Sequence, residues 1–514
     1  MRFSTIRRFE PRDYNPAQDR LFDRIRHRIS WRRQSTIEYG LAATKVSTFL
    51  ADLSDRFCRA NLANAIRWEP SLNMFSAQLV VIILASICPI LLFVDGAISH
   101  GVLAGFAAVG ISLAAFNLRA PEIRFLIRII RATVILAVVP ALWIGIQLLP
   151  LPQVANPIWP TAAAALERPL TGTISVDFGA TVMALGAFFS AAGLVLLSAF
   201  VAVNPHRANA LLWALIGSAA AVGLVCLAYD GARFLSTAHL PVRLQGPFFA
   251  IVSSLGFSRS EAVDCSTIGA IFATAALVRA FESKGQRRWT SSLLITLLLA
   301  ALVTCLLAIG VDANRAVIFA VLYGTGAVVA VASIRRLGIG LWGRAAIVLF
   351  AFSTVILLVG GEPNIGTKGF ALAFSTSTPS QISASQRALA DAPWTGDGAG
   401  TFATMMPIYR EFNQPAIQSA PNAVTAVAIE LGLPMMFMLA TMTIGVVFIL
   451  LGAALQRGRD YLYPAAAAGC LISALFLSFA NEGTLGVTFI ILTAIALGSG
   501  FAQSKSPSKL RVNA

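Results

Sequence analysis

The sequence predicts an all-α polytopic integral membrane protein with about 12 transmembrane helices. Of its 514 residues, 57% are hydrophobic and only 12% are charged, and the mean hydropathy is +0.75. Soluble domains carry roughly 25% charged residues, so this composition excludes an ordinary soluble protein. Apolar stretches of about 20 residues recur along the chain, and basic residues concentrate between alternate pairs of them.

The excess of basic residues gives a net charge of +15. Lys and Arg near the cytoplasmic ends of membrane helices anchor those ends and contact anionic lipid headgroups, which explains the charge without a nucleic-acid partner. The six cysteines include no Cys-x-x-Cys pair, and most lie within apolar stretches. We therefore expect buried thiols rather than disulfides or a metal site.

Residues 1–74 form a basic N-terminal region with 14 Lys and Arg. Phe22, Ile25 and Ile29 recur at nearly helical spacing among these cations. The pattern fits an amphipathic helix on the cytoplasmic leaflet and a disordered basic tail equally well. No cleavable signal peptide is visible, because the first apolar stretch begins only near Phe75.

The predicted transmembrane domain covers residues 75–502, and a short tail, 503–514, follows it. Its first two spans are close enough to form a tight hairpin. The spans are predicted at 75–94, 97–117, 129–149, 177–203, 209–229, 262–281, 291–310, 314–334, 345–361, 422–452, 461–480 and 484–502.

Three polar segments separate these spans. Segment 150–176 has the character of a surface-covering loop, and we assign it no chemistry. Segment 230–261 is a second polar loop. Segment 362–421 is a large loop between the ninth and tenth spans, and loops of this length are uncommon unless they have a function.

The distribution of charge predicts the orientation. With the N-terminus in the cytoplasm, 31 of the 39 Lys and Arg fall in cytoplasmic segments, as the positive-inside rule requires. Twelve spans also return the basic C-terminal tail to the cytoplasm. We therefore predict a multi-pass protein of the bacterial inner membrane, with both termini cytoplasmic and the three polar segments periplasmic.

Eight basic residues lie on the predicted outer side against this bias: Arg168, Arg233, Arg243, Arg259, Arg315, Lys368, Arg387 and Arg410. Arg315 stands at the outer mouth of an apolar helix, where a guanidinium is costly unless it is paired or faces a wet cavity. Pairing with Asp312, three residues earlier on the same predicted helix face, and contact with a ligand are equally open interpretations.

The stretch from Trp394 to Pro434 is polar and rich in glycine and proline. Gly396, Gly398 and Gly400 alternate, which permits a tight backbone turn whose amides can approach an anion. The tenth span follows, with Glu430 one to two turns from its start. A carboxylate at that depth should face a polar cavity or pair with an arginine.

Three segments of this stretch, PWTGDGAGTF, PIYREF and PNAVTAVAIELGLP, resemble the large periplasmic loop of the O-antigen ligase family and its exopolysaccharide polymerase relatives. That family shows a P-x-x-G-x-G-x-G-x-F run, then a tyrosine, then a His-Asn pair followed by E-x-G-L-x-G. VRLQGPF resembles the family's Arg-x-x-Gly-x-Phe segment, and GVDANRAV resembles its Ser-Arg-Gly segment. The resemblance covers roughly residues 180–500.

Two positions depart from the family pattern. Pro421 stands where the family has a histidine associated with glycan transfer, and proline can neither donate a hydrogen bond nor act as a base. Met435 replaces the glycine that usually follows ELGLP. Three consequences stay open: another residue serves, the activity differs, or the chain is a non-catalytic member.

The resemblance implies transfer or polymerisation of a glycan from an undecaprenyl-pyrophosphate-linked donor at the periplasmic face, without a nucleotide sugar, cofactor or metal. The acceptor would be another glycan or the lipid A core, and polysaccharide export proteins would be partners. The alternatives are a transporter or flippase for a lipid-linked or anionic substrate and a non-catalytic member of an export complex. Charged residues concentrated at the outer face, without an internal repeat, favour the enzyme over the transporter.

The predicted site combines the family positions with the residue chemistry. The expected catalytic residues are Glu430 and, in place of the histidine, His239. Guanidinium groups would stabilise the charge that develops on the pyrophosphate leaving group. The expected substrate-binding residues are Arg243, Arg315, Arg387, Arg410, Tyr409 and Asn422.

Overall fold

A computed structural model describes residues 70–94, 96–116, 137–237, 257–282, 288–312, 314–337, 372, 375, 377–411, 417, 419–456 and 460–505. The chain divides into two units, Met1–Glu69 and Pro70–Ala514, and the described residues belong to the second. Three sequence predictions lie outside the described residues: the N-terminal amphipathic helix, the span at 345–361, and the site residues His239 and Arg243.

The described part of the chain is helical. A short 3-10 helix, Gly483–Leu485, precedes the last α-helix. The α-helices are α1, Pro70–Leu91; α2, Gly96–Ala115; α3, Ala137–Gln147; α4, Ile158–Leu166; α5, Phe178–Ala202; α6, Pro205–Thr237; α7, Arg259–Glu282; α8, Arg288–Asp312; α9, Arg315–Leu337; α10, Pro379–Asp391; α11, Phe402–Tyr409; α12, Ala423–Glu430; α13, Leu433–Gln456; α14, Leu462–Ala480; and α15, Val487–Lys505.

Among the described residues, nine helices are long and apolar enough to cross a membrane: α2, α5 to α9 and α13 to α15. Two shorter apolar helices, Phe75–Leu91 within α1 and Ala137–Gln147, coincide with two more predicted spans. Large apolar side chains on the outside of the bundle, such as Leu293 and Leu297 of α8, are exposed, as lipid contact requires. The prediction of a polytopic membrane protein is confirmed, whereas the count of 12 stays a prediction.

Three helices, α7, α14 and α15, form the centre of the bundle. In an 18-residue apolar stretch of α7, 89% of the residues are buried, compared with 22% in the corresponding stretch of α8 at the periphery. Small residues allow the central helices to pack closely, as is usual in membranes. A methyl group added to Gly469 of α14 would lie 2.6 Å from the carbonyl oxygen of Gly324 in α9, and Ser473 Oγ donates a hydrogen bond to Ala320 O at 2.6 Å.

The two ends of the bundle differ in structure. One end, here called the loop end, carries α4, α10, α11, α12 and the 3-10 helix, which are joined to the span ends by bonds such as Ala423 N to Asn481 O at 3.0 Å. At the opposite end, Arg279 donates to Tyr463 Oη at 3.1 Å, and Arg335 lies over the ring of Tyr461. All of the candidate site residues that the structure describes lie at the loop end.

The predicted tenth span, 422–452, is wrong as a single helix. The structure divides it into α12 and α13, with a break at Leu431 and Gly432. Gly432 has a φ of +86°, a left-handed conformation that ends a helix and that glycine adopts without strain. Glu430 is therefore the last residue of a short helix at the loop end and does not lie inside a long span.

Two of the predicted polar loops contain helix. The apolar helix α6 continues to Thr237, and α7 begins at Arg259, so helices occupy both ends of segment 230–261 and shorten that loop. Segment 150–176 lies between α3 and α5 as predicted, and it contains α4, in which none of the residues is buried.

Candidate functional site

The residues Pro393–Thr401, here called the glycine loop, lie against the C-terminal end of α12. Gly396, Gly398 and Gly400 have φ values of +76°, +113° and +77°, in the region that favours glycine. This conformation lets Asp397 N donate to Ile429 O and Gly398 N donate to Glu430 O, each at 3.0 Å. The loop thus satisfies carbonyl groups that the end of a helix leaves free.

Gln147, at the end of the short apolar helix α3, completes this junction. Its Nε2 donates to Thr395 O at 3.0 Å and to Glu430 O at 2.9 Å, and its Oε1 accepts from Ala399 N at 3.1 Å. Trp143 Nε1, one turn earlier, donates to Leu431 O at 2.9 Å. The fully buried Gln147 therefore joins α3, the glycine loop and α12, a role that sequence reasoning missed.

The side chain of Glu430 occupies the anion cradle that the glycine pattern predicts. Its Oε1 accepts a hydrogen bond from Phe402 N at 3.2 Å, and the backbone amide of Gly400 also bonds to the carboxyl group. These amides stand at the start of α11, where the helix dipole favours negative charge. The cradle is therefore filled by a group of the protein itself.

Burial raises the pKa of Glu430 to about 7, while the Gly400 and Phe402 amides act in the opposite direction by favouring the charged form. The residue as a whole is partly exposed, and Gly400 beside it is exposed. Glu430 is thus a largely buried carboxyl group with a pKa near neutrality at the loop end. A general base in an enzyme needs a pKa in this range.

Segment 150–176 holds the other side of the glycine loop, although the sequence suggested only a covering role. Asn156 Nδ2 donates to Asp397 Oδ1 at 2.8 Å, and Val176 N donates to Asp397 O at 2.8 Å. Thr181 Oγ1 donates to Ala399 O at 2.9 Å. Burial raises the pKa of Asp397 to about 6, and the Asn156 hydrogen bond acts in the opposite direction.

Three of the predicted site residues meet at the C-terminal end of α11: Tyr409 and Arg410 from that end, and Arg387 from α10. Arg387 on α10 donates to Tyr409 O at 2.7 Å and forms an ion pair with Glu411 at 3.5 Å. Burial and the nearby Asp391 carboxylate raise the pKa of Tyr409. Arg410 is exposed. Since α11 has eight residues, about 10 Å of helix separates these groups from the Glu430 cradle.

Asn422 caps the start of α12. Its Oδ1 accepts from Thr425 N at 2.8 Å and its Nδ2 donates to Phe479 O at 2.9 Å, and the residue is fully buried. The carbonyl oxygen of Pro421 accepts hydrogen bonds from Ser375 Oγ and Ser377 Oγ, both at 3.1 Å. The contacts of Asn422 are thus those of a structural cap, and its predicted substrate contact stays a prediction.

Glu482 is a candidate that sequence reasoning missed. It bonds to the Ser419 hydroxyl and the Ala420 amide, just before Pro421, and burial raises its pKa. Glu430 stands nine residues after Pro421, or about 13 Å along α12. The acidic group beside Pro421 is therefore Glu482, and an Asn-Glu-Gly turn between two apolar stretches was the available signal.

The structure places Arg315 and Asp312 on different helices. Asp312 is the last residue of α8 and Arg315 is the first residue of α9, so the prediction that they share one helix face is wrong, while their pairing stays a prediction. Arg315 is exposed, and its contact with substrate stays a prediction. The nearby Arg259, in contrast, pairs with Asp230 at 3.2 Å, which explains one basic residue on the loop end.

No family model matches the chain, and neither a curated protein nor a solved structure matches it. Within the described part of the chain, no group of three or more His, Cys, Asp and Glu residues is arranged to hold a metal ion. The described cysteines Cys88, Cys226, Cys265, Cys305 and Cys470 are buried thiols, as the sequence predicted. The candidate site is therefore described by the contacts among the chain's own residues.

Proposed function

We propose that the protein transfers or polymerises a glycan from an undecaprenyl-pyrophosphate-linked donor at the periplasmic face of the bacterial inner membrane. The observation that carries the proposal is the Glu430 cradle, which holds a carboxyl group whose pKa is raised to about 7, about 10 Å along α11 from the exposed Arg410. The sequence resemblance to O-antigen ligases and polysaccharide polymerases supports the same reaction.

In the proposed reaction, Glu430 accepts the proton of an acceptor hydroxyl. The hydroxyl oxygen bonds to the anomeric carbon of the donor glycan as the bond from that carbon to the pyrophosphate oxygen breaks. The pyrophosphate departs with the electron pair, and arginine side chains stabilise its negative charge. Arg410 is exposed and fits this role, while Arg387 also positions the Tyr409 backbone.

The length of α11 supports this division of roles. The amide of its first residue bonds to the Glu430 carboxyl group, and the arginines lie at its last residues. About 10 Å of helix therefore separates the group that accepts the proton from the groups that bind the pyrophosphate. A donor that contacts both groups would lie along α11 at the loop end. The acceptor, either another glycan or the lipid A core, would then approach from the Glu430 side.

The proposal can be tested by deletion of the gene and complementation with variants, with surface polysaccharide as the readout. We expect Glu430→Gln and Arg410→Ala to fail to restore polysaccharide although both proteins reach the membrane. Glu167→Gln, which alters an exposed carboxylate of the loop end, is the matched control and should restore it.

Glu482→Gln distinguishes the two ends of α12. If this variant fails and Glu430→Gln succeeds, the base lies beside Pro421 and the assignment to Glu430 is wrong. If both succeed and Arg410→Ala also succeeds, the protein acts without catalysis in polysaccharide assembly. Unchanged polysaccharide after gene deletion would contradict the proposed substrate class as well.

A further inference from the structure

A cavity at the loop end lies apart from the glycine loop and has a volume of about 570 Å³. It is lined by the end of α1, the start of α2, the start of α7 and the residues that lead into α15. Ligand pockets commonly enclose about 300–1,000 Å³. The space is therefore large enough for the headgroup of a lipid and the beginning of its chains.

The lining of the cavity is amphipathic. Apolar side chains come from α1 and from the residues around the start of α15: Leu91, Leu92, Phe93, Leu485 and Val487. The polar side chains are Ser99, His100, Ser258 and Glu261. Ile90 and Ile98, on the helices that border the cavity, are more than 60% exposed, so the surrounding surface is one that lipid would cover.

Glu261 places a carboxyl group on the wall. Its Oε1 accepts from Thr488 N at 2.6 Å, and the Phe489 amide and Ser258 hydroxyl also bond to it. The carboxylate thus caps the start of α15, where the dipole favours negative charge. Gly486 has no side chain, and a methyl group there would collide with Glu261, so the sequence leaves this space for the carboxylate.

Among the described residues that line the cavity, Glu261 is the one acidic group. Arg259, the basic residue two positions before Glu261, is paired with Asp230 at 3.2 Å. His100 contributes a second contact. Its Nδ1 is buried without a hydrogen-bond partner in the described part of the chain, which leaves Nε2 as the ring atom able to meet a ligand. A neutral imidazole can accept one hydrogen bond there.

We propose that this cavity binds the primary ammonium group of an aminophospholipid of the phosphatidylethanolamine type. Glu261 supplies the counter-charge, His100 Nε2 accepts one N–H, and the apolar side chains contact the beginning of the acyl chains. A choline headgroup carries the same charge but has no N–H to donate, so the site distinguishes the two headgroups. This binding is independent of the proposed glycan transfer.

The test is a binding titration of the detergent-purified full-length protein with dihexanoyl phosphatidylethanolamine, phosphatidylcholine and phosphatidylglycerol. We expect the ethanolamine lipid to bind about 10-fold or more tightly than the choline lipid, because charge-assisted hydrogen bonds are lost in the latter. Glu261→Gln should weaken binding by about 10-fold or more, and His100→Leu, which removes the acceptor, by about 5-fold. His206→Leu, at the opposite end of the bundle, should bind as the wild type does.

Equal affinity for the ethanolamine and choline lipids would overturn the proposal, as would unchanged binding by His100→Leu. The second variant keeps the test decisive if Glu261→Gln fails to fold, since no hydrogen bond to His100 Nδ1 exists among the described residues. Free ethanolamine that binds as tightly as the lipid would show that the apolar half of the cavity is unused, and would contradict a lipid ligand.

Discussion

Glu430 is held at the point where three structural features meet: the end of α12, the glycine loop and the start of α11. Backbone amides favour its charge, and burial opposes it. The balance places its pKa at about 7, a value that neither an exposed glutamate nor an apolar pocket without donors would give. The same balance gives Glu430 a measurable effect on the pH dependence of stability.

The stability of the folded protein should fall as the pH rises from about 5 to 8. The pKa of Glu430 in the folded protein, about 7, lies above its ordinary value of 4.5, so the folded state holds a proton that the unfolded chain releases between these values. The resulting stabilisation, at most about 3 kcal/mol, is complete below pH 4.5 and lost as the pH passes 7. Asp397 acts in the same direction, because its pKa is raised to about 6.

Thermal unfolding in detergent across this pH range measures the effect. Glu430→Gln mimics the protonated form, so its Tm should fall less steeply between pH 5 and pH 8 than that of the wild type. Glu167→Gln should retain the wild-type slope. Parallel curves for the wild type and Glu430→Gln would show that the carboxyl group titrates outside this range.

At the scale of elements, α12 is the short helix that links the two polar groups of the loop end. Asn422 caps its start, and Gly398 and Gln147 bond to the carbonyl group of its last residue. Both ends are thus fixed by side chains or backbone from other parts of the chain. This arrangement keeps Glu430 and Glu482 at opposite ends of a helix of fixed length.

Gly432→Ala tests how strongly the break after α12 depends on glycine. Gly432 has a φ of +86°, and a methyl group there would collide with the carbonyl oxygen of Trp394. We expect a loss of about 2 kcal/mol or more in the free energy of unfolding, measured by thermal unfolding in detergent.

Gly445→Ala, in the interior of α13, is the control for this substitution. A methyl group at Gly445 meets open space, and alanine favours a helix over glycine by about 1 kcal/mol. Its stability should therefore equal or exceed that of the wild type. Equal losses in the two variants would contradict a special role for the conformation of Gly432.

The sequence was sufficient to predict the apolar helices that the structure describes and the glycine turn, because apolar length and alternating glycines are local properties, whereas it did not predict the short helices of the loop end. The sequence did not predict the helix break at Gly432, because a continuous apolar pattern gives no indication that one residue adopts the left-handed conformation. Gln147 and Glu482 were missed for a different reason. Their roles depend on bonds to Ala399 and Ala420, residues far away in the chain, and one lone polar residue beside an apolar stretch gives no indication of its partner.

At the scale of the whole molecule, the bundle separates two chemical environments. The loop end holds carboxyl groups with raised pKa values, among them Glu430, Asp397 and Glu482. Arginines lie at both ends, Arg387 and Arg410 at the loop end and Arg279 and Arg335 at the opposite end, and the charge distribution of the whole sequence predicts that the opposite end is cytoplasmic. A reaction at the loop end would then use substrates on the periplasmic side.

The central claim is that Glu430 accepts a proton during glycan transfer at the loop end. The most direct measurement uses the full-length protein in liposomes with an undecaprenyl-pyrophosphate-linked glycan and a glycan acceptor, and follows release of undecaprenyl pyrophosphate together with growth of the acceptor. The account predicts transfer by the wild type and by Glu167→Gln, and a rate at least about 100-fold lower for Glu430→Gln. A Glu430→Gln protein that transfers glycan at the wild-type rate would contradict it.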